Sequence, residues 1–330
     1  MTYLRLSAKK EPVTNLLLPP VLCPGATIGI VAPARWPTAT TLKNSISWLE
    51  SQGFKVKPHP QLAARDGRLA GNDLIRAEAL TSMFADDSVD AILCARGGSG
   101  SFRLLDHIDF DIIRRHPKII CGFSDLTTLL SAITRRTGLV TFHGPMLRSF
   151  IRADTDQRTG LEWQEMLSGR FPSDGKNYSA HGLSHGQAQG RLTGGNLSLL
   201  RNLIGTQDDW NGQDKILFIE DIDTPLYQID HMLWQLRQAG KFSGLRGVIV
   251  GEFIPHTDDH APSINPDDPP YGKPLPDLLR SYLPPGIPVC TNFPCGHGPY
   301  LTTLPLGVTV AIDVGTTQTR LRLVEPAVRQ

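Results

Sequence analysis

The stretch Lys118-Ile119-Ile120-Cys121-Gly122-Phe123-Ser124-Asp125-Leu126 decides the fold. After Lys118 its first half is an apolar run of the length of a buried strand, and Leu126, Leu129, Leu130 and Ile133 then keep to one helical face until Gly138 stops it. A buried strand that runs straight into a helix is half of a crossover unit, and such units build parallel sheets. Upstream the same alternation recurs. Thr27 to Ala32 is a strand closed by Pro33, Leu42, Ile46 and Leu49 keep helical spacing up to Gly53, and Phe54 to Lys57 forms a second strand. Asp73 is placed to cap a helix running to about Phe84, with Ala77 and Leu80 on its apolar face, and Ala91 to Ala95 is a third strand. The first half therefore reads as an α/β domain with a doubly wound, mostly parallel sheet.

Downstream of Arg152 the periodicity fades into Gly, Ser, Asp and His. The expected organisation is an N-terminal α/β domain over residues 1–170, a linker over 171–190 and a smaller, strand-rich, barrel-like mixed α/β domain over 191–330. Within that last part the pattern predicts a Gly-opened helix (Gly194 to Ile204), a strand (Ile216 to Glu220), a helix (Leu226 to Ala239), a strand (Leu245 to Gly251) and a Pro-rich loop from about Pro255 to Pro276. A closing hairpin follows, built of Val308 to Asp313 and Thr319 to Val324.

Composition narrows the function. The 330 residues suffice for about two domains, and 33 Lys and Arg balance 32 Asp and Glu to a net charge of +1, which leaves no basic excess for nucleic acid. Hydrophobic residues make up 40% of the chain, as in a globular protein. The five cysteines show no CxxC spacing and read as reduced thiols rather than a disulfide or zinc framework. No apolar run reaches the roughly 18 residues of a membrane span, and Leu16 to Leu18 is too short for a signal-peptide core. A cytoplasmic protein with no membrane partner is expected.

The chemistry-bearing residues fall at strand ends. Ser124, at a strand-to-helix junction, has the position of a nucleophile whose oxyanion the first helical N–H groups would hold, although the second Gly of a GxSxG elbow is replaced by Leu126. A helix cap made by Ser124 or Asp125 is the competing role. A base is needed, and His297 in Cys295-Gly296-His297-Gly298 competes with His143 in His143-Gly144-Pro145. Glu220 and Asp221 end an apolar strand, where an acid is costly unless it is paired or faces a cleft. Arg96-Gly97-Gly98-Ser99-Gly100 is a Gly-rich turn suited to an oxyanion or a carboxylate, and it lacks the nucleotide fingerprint. His256 to His260 superficially suggests a metal site, but its Pro-rich setting reads as a solvated loop. Cys121, three residues before Ser124, reads as a small hydrophobe inside its strand.

Taken in order, a set of short segments resembles the LD-carboxypeptidase family. They are Val31-Ala32-Pro33, Ala91 to Gly100, Ile120 to Asp125, Thr141 to Met146, Leu192 to Leu197, Gly205-Thr206, Phe218 to Asp221, Asp230 to Leu236, and Gly296-His297 followed by Leu304 to Gly307. Order and spacing are kept from about residue 27 to 313. The resemblance implies a Ser-His-Glu hydrolase with Ser124 as nucleophile, His297 as base and Glu220 as its carboxylate, set in a cleft between the two halves. It also implies an oxyanion hole from the N–H groups of Asp125 and Gly98, with Gly97 as a substitute. The implied reaction removes the terminal D-alanine from a small murein tetrapeptide, with no cofactor and no metal. Arg96 is the candidate contact for the peptide's carboxylate. Ser99 and Ala34 stand where family members often have Tyr and Ser, and both could line the cleft. A homodimer is the expected assembly. Three other readings stay open: a related immunity-type hydrolase of peptidyl or aminoacyl nucleotides, which would need an aromatic platform such as Trp210 or Trp234; a murein-peptide binding module without turnover; and a nucleotide-binding oxidoreductase.

Overall fold

Thr27–Val31 forms β1, with buried Ile28, Ile30 and Val31, the strand next to one edge of a six-stranded sheet in the computed structural model, which describes residues 15–254 and 271–330. On one side lies β2 (Lys55–Pro58), parallel to β1. Its lysines and proline are what an exposed edge tolerates, since they discourage a further strand from pairing there. On the other side β3 (Ala91–Cys94), β4 (Ile119–Gly122) and β5 (Thr141–His143) follow in parallel. Helices α1 (Ala39–Ser51), α2 (Asp73–Ala85), α3 (Phe110–Arg115) and α4 (Thr127–Thr137) make the crossovers, and Gly138 ends α4 at φ +81°. One local detail departs from expectation. The cap of α2 is Asn72, which accepts from the Ile75 N–H at 2.9 Å, while Asp73 is already helical and pairs with Arg76 and Arg103.

Residues 171–190 are not a linker. After α5 (Arg158–Leu167), they hold β6 (Lys176–Ser179), β7 (His181–Ser184) and the first part of β8 (Gly186–Asn196). These strands leave one face open to solvent, so polar and small residues fill it and the apolar alternation that marks a strand is lost. Gly194 and Gly195 close β8 instead of opening a helix. Gly195 takes φ +140°, and a Cβ there would lie 2.5 Å from the Thr127 side chain, so β8 can run against the start of α4 only with glycine. The helix begins at Leu197 as α6 (Leu197–Asn202), capped by Asn196.

The second sheet continues with β9 (Lys215–Ile222), α7 (Leu226–Gln238), β10 (Gly247–Ile254), α8 (Leu275–Tyr282) and β11 (Val289–Phe293). Then β12 (Leu304–Leu306) crosses back and pairs antiparallel with β5, giving the first sheet its sixth strand. The expected hairpin is present as β13 (Thr309–Val314) and β14 (Gln318–Leu323). The second sheet has the order β6-β14-β13-β8-β9-β10-β11-β7, parallel from β8 to β11 and antiparallel outside. Its two edge strands, β6 and β7, are separated in the chain by Ala180 alone, so the sheet must curl until its edges approach. The Ala180 and Gly182 N–H groups bond to Thr317 and Thr316 at 3.2 and 3.1 Å, but the edges form no ladder. The sheet is barrel-like in its curl without being a closed barrel.

An apolar cluster joins the halves, running from Ile120, Phe123 and Leu126 to Phe218, Phe293 and Cys295. Among the described residues no helix is long and apolar enough to cross a membrane. The Pro-rich segment and the His256 to His260 cluster lie largely or wholly outside the described residues.

Candidate active site

At the carboxyl end of β4 the chain turns sharply. Phe123 is extended and buried, and Ser124 then adopts φ +63°, a left-handed conformation that costs a non-glycine residue about 1–2 kcal/mol. Such strain persists where the surroundings over-determine it. Asp125 supplies much of that constraint. Its buried carboxylate accepts the Ser101 N–H at 2.9 Å, its carbonyl accepts the Ser101 hydroxyl at 2.5 Å, and the same hydroxyl lies 3.1 Å from Thr128 Oγ1. Burial raises the Asp125 pKa above its usual range and these bonds oppose the shift. Neither Ser124 nor Asp125 caps the helix by its side chain. The turn that holds Ser124 is thereby tied to the loop that follows Gly100.

Glu220 is the sixth residue of the buried strand β9 and is fully buried itself. Its Oε2 lies 2.7 Å from His297 Nδ1, so the imidazole donates from Nδ1 and keeps Nε2 for another partner. Burial disfavours the charged imidazolium, but the Glu220 carboxylate outweighs it through charge and hydrogen bond, and His297 is raised above its ordinary value. The His297 ring packs on Phe123 at 4.8 Å between centroids, which sets it beside the Ser124 turn. The neighbouring acid has a different task. Asp221 accepts from Asn196 Nδ2 at 3.1 Å and from the Ser198 N–H and hydroxyl at 3.0 and 2.8 Å, anchoring the start of α6. Across the halves, the Asn196 N–H donates to Thr127 Oγ1 at 3.0 Å.

His143 does not compete for the role of base. It is buried between Phe123 and Phe218, burial lowers its pKa to about 4, and its neutral ring donates from Nε2 to the Cys295 carbonyl at 2.8 Å. It holds the loop that carries His297, as does Arg152, whose Nη1 donates to the His297 carbonyl at 3.3 Å.

Sequence reasoning missed Glu252, whose Oε2 accepts the Gly296 N–H at 2.8 Å. Its signal was present, because Gly251-Glu252 ends an apolar strand just as Glu220-Asp221 does. Burial raises its pKa, and the Glu220 charge adds to the rise. Glu252→Ala is expected to lower kcat about tenfold and Tm by a few degrees, because the Gly296 N–H loses its acceptor and the His297 loop loosens. Glu252→Gln should recover most of both; steady-state kinetics with a melting curve checks this.

The Arg96-Gly97-Gly98 turn lies over Ser124. A Cβ built on Gly97 would stand 3.4 Å from Ser124 Oγ, whereas Gly98, one residue further, faces the stem of Arg35 at φ +126°. Among the described residues neither N–H donates to a backbone carbonyl. Arg96 is half-buried and Ser99 exposed. Trp210 is buried, with its Nε1 bonded to the Leu200 carbonyl at 3.1 Å, and Trp234 stands exposed on α7.

The chain is similar to known proteins over most of its length. Residues 28–144 match the LD-carboxypeptidase N-terminal domain and residues 189–312 the LD-carboxypeptidase C-terminal domain. A probable murein peptide carboxypeptidase of Bacillus subtilis (strain 168) is 38% identical over 301 residues, covering 89% of this chain and 91% of that one. The microcin C7 self-immunity protein MccF of Escherichia coli is 30% identical, over 90% of this chain and 93% of its own. The crystal structure of a muramoyltetrapeptide carboxypeptidase from Oxalobacter formigenes superposes with a TM-score of 0.77 at 28% identity, covering 91% of this chain and 99% of that one.

Proposed function

The chain belongs to the LD-carboxypeptidase family, and on that premise we propose that it releases the terminal D-alanine of a murein tetrapeptide through an acyl-enzyme on Ser124, with His297 as base and Glu220 as its carboxylate. The observation that carries this reading is the 2.7 Å Glu220–His297 pair packed against the strained Phe123–Ser124 turn. His297 Nε2 takes the hydroxyl proton as Ser124 Oγ attacks the carbonyl of the L-centred residue before D-alanine. Glu220 holds the tautomer and stabilises the imidazolium, which then protonates the departing amine. Water, deprotonated by the same imidazole, releases the tripeptide. The N–H groups of Asp125 and Gly98, with Gly97 as the substitute for the latter, hold the tetrahedral oxyanion. Arg96 receives the terminal carboxylate. The described cysteines are all free, four of them buried, which suits work in a reducing cytoplasm.

Mass spectrometry of products from tetrapeptide, pentapeptide and aminoacyl-nucleotide substrates tests the reading. Tripeptide plus D-alanine from the tetrapeptide is expected. Cleavage of the nucleotide substrate alone would assign the chain to the immunity-type activity, and tetrapeptide binding without turnover or labelling of Ser124 by a fluorophosphonate would make it a binding module. Because His297 must be unprotonated to act as base and its pKa is raised, kcat/KM should climb with pH through an apparent pKa above the ordinary 6.5. A pH–rate profile reads this directly.

A further inference from the structure

Away from Ser124, the last turn of α4 faces β8 and the first residue of β9 across a cavity of about 120 Å³. Ser131, Thr134 and Arg135 line it from α4, Arg191 and Thr193 from β8, and Lys215 from β9. The cavity therefore lies between the two halves of the chain. It is also remote from the candidate triad, because Thr127 to Arg135 spans about 12 Å of helix and Lys215 to Glu220 about 17 Å of strand.

Its walls hold more positive charge than the fold requires. The helix dipole favours a cation in the last turn of α4, which accounts for Arg135 and Arg136. It does not account for Lys215, which opens a strand, is half-buried and stands directly beside Arg191 in the parallel register of β8 and β9. Like charges placed so repel each other. Among the described residues no carboxylate pairs with Lys215 or Arg135, because the acids at hand are taken: Asp208 by Arg136, Asp209 by Lys241 and Asp214 by Arg246. Burial first, and then the charges of Arg135, Arg191 and Lys241, push the Lys215 pKa down to about 8. The Arg135 guanidinium is held in place, since its Nε donates to the Gln207 carbonyl at 3.2 Å.

We propose that this cavity binds one tetrahedral oxyanion of the phosphate class, held by Lys215 and Arg135 with the charge of Arg191 beside them, and that the anion fastens the end of α4 to β8 and β9. The inference stands independently of the reaction at Ser124. Size limits the ligand, since sites that enclose a drug-sized molecule measure about 300–1,000 Å³ and this one takes an ion or a single head group. Shape limits it further. Cations and the hydroxyls of Ser131, Thr134 and Thr193 converge from three elements, which suits the oxygens of a tetrahedral ion better than the two coplanar oxygens of a carboxylate. An anion bound here would supply the counter-charge that the neighbouring aspartates, already paired, do not.

The test melts the full chain in inorganic phosphate, with chloride and acetate at equal ionic strength as references. In about 10 mM phosphate the wild type should melt about 3 °C or more above its value in chloride, and acetate should shift it by less than about 1 °C. Lys215→Met should melt no lower than wild type in chloride, because the repulsion goes with the charge, and should lose most of the response to phosphate. Arg135→Gln should lose it as well, which keeps the test decisive if the first variant does not fold. Arg280→Gln, on α8 and outside the cavity, should respond as wild type does. Calorimetric titration should find phosphate binding weakened at least tenfold in both cavity variants. Glycerol phosphate separates the sources: weaker binding than phosphate assigns the cavity to the free ion, and tighter binding assigns it to the head group of a phosphorylated molecule, each upholding the site. A wild type that responds no more to phosphate than to chloride or acetate overturns it. So does a phosphate response that survives in both cavity variants, which would place the anion elsewhere, at the arginines beside Ser124.

Discussion

Alanine at position 124 is expected to lower kcat for D-alanine release by roughly 10⁴- to 10⁶-fold, because the attacking oxygen is gone and the base and oxyanion donors are left with no covalent step to assist. KM should change little, since binding rests on groups around the serine rather than on its hydroxyl. The melting temperature should also stay put, because among the described residues no hydrogen bond of the Ser124 side chain is lost. Glycine at the same position separates chemistry from strain. Ser124 sits at φ +63°, which glycine adopts freely, so Ser124→Gly should be equally inactive yet melt about 1–3 °C higher. Parallel assays and melting curves on the two variants check both halves. Activity within tenfold of wild type in either would remove Ser124 from the mechanism.

The second large effect concerns Glu220. Replacing it with glutamine preserves size and burial but removes the charge that favours the Nδ1–H tautomer and the imidazolium. A loss of about 10⁴-fold in kcat is expected, as for other triads deprived of their carboxylate charge. The sign of the accompanying pH change follows from the cause of the shift. Burial alone lowers His297, and the carboxylate is what raises it, so without the carboxylate the pKa falls. The acid limb of kcat/KM in Glu220→Gln should therefore move to lower pH. An unmoved limb would mean that the titrating group is not His297. Glu220 is buried and burial raises its own pKa, so the neutral amide should fold at least as stably above the carboxylate range.

How much of this was legible beforehand depends on burial. Strands covered on both faces announce themselves as apolar runs, which is why β1, β3, β4 and β9 lie within a residue or two of where the sequence places them. Half-exposed antiparallel strands carry no such mark, and β6, β7 and the start of β8 look like linker in the sequence for that reason. Gly194-Gly195 closes a strand where the sequence suggests a helix start, because glycine in a close approach and glycine before a helix look alike in a sequence. Glu220 and His297 could be proposed from strand ends and a family resemblance, but their 2.7 Å contact joins residues 77 positions apart. The task of His143 was equally hidden, since its partner is a backbone carbonyl contributed by a residue 152 positions away.

The return of Leu304–Leu306 to pair with β5 also orders events during synthesis. A chain emerging from the ribosome completes β1 to β5 early, and then leaves the rim of β5 uncovered while about 160 further residues are made. At about 5–20 residues per second that wait lasts roughly 10–30 s, a period in which an unpaired rim can capture a neighbouring nascent chain. His297 leaves the ribosome only shortly before the strand that closes the rim. If Ser124 and His297 act as proposed, the serine is thus made early and disarmed, and hydrolytic competence arrives together with the last piece of the first sheet.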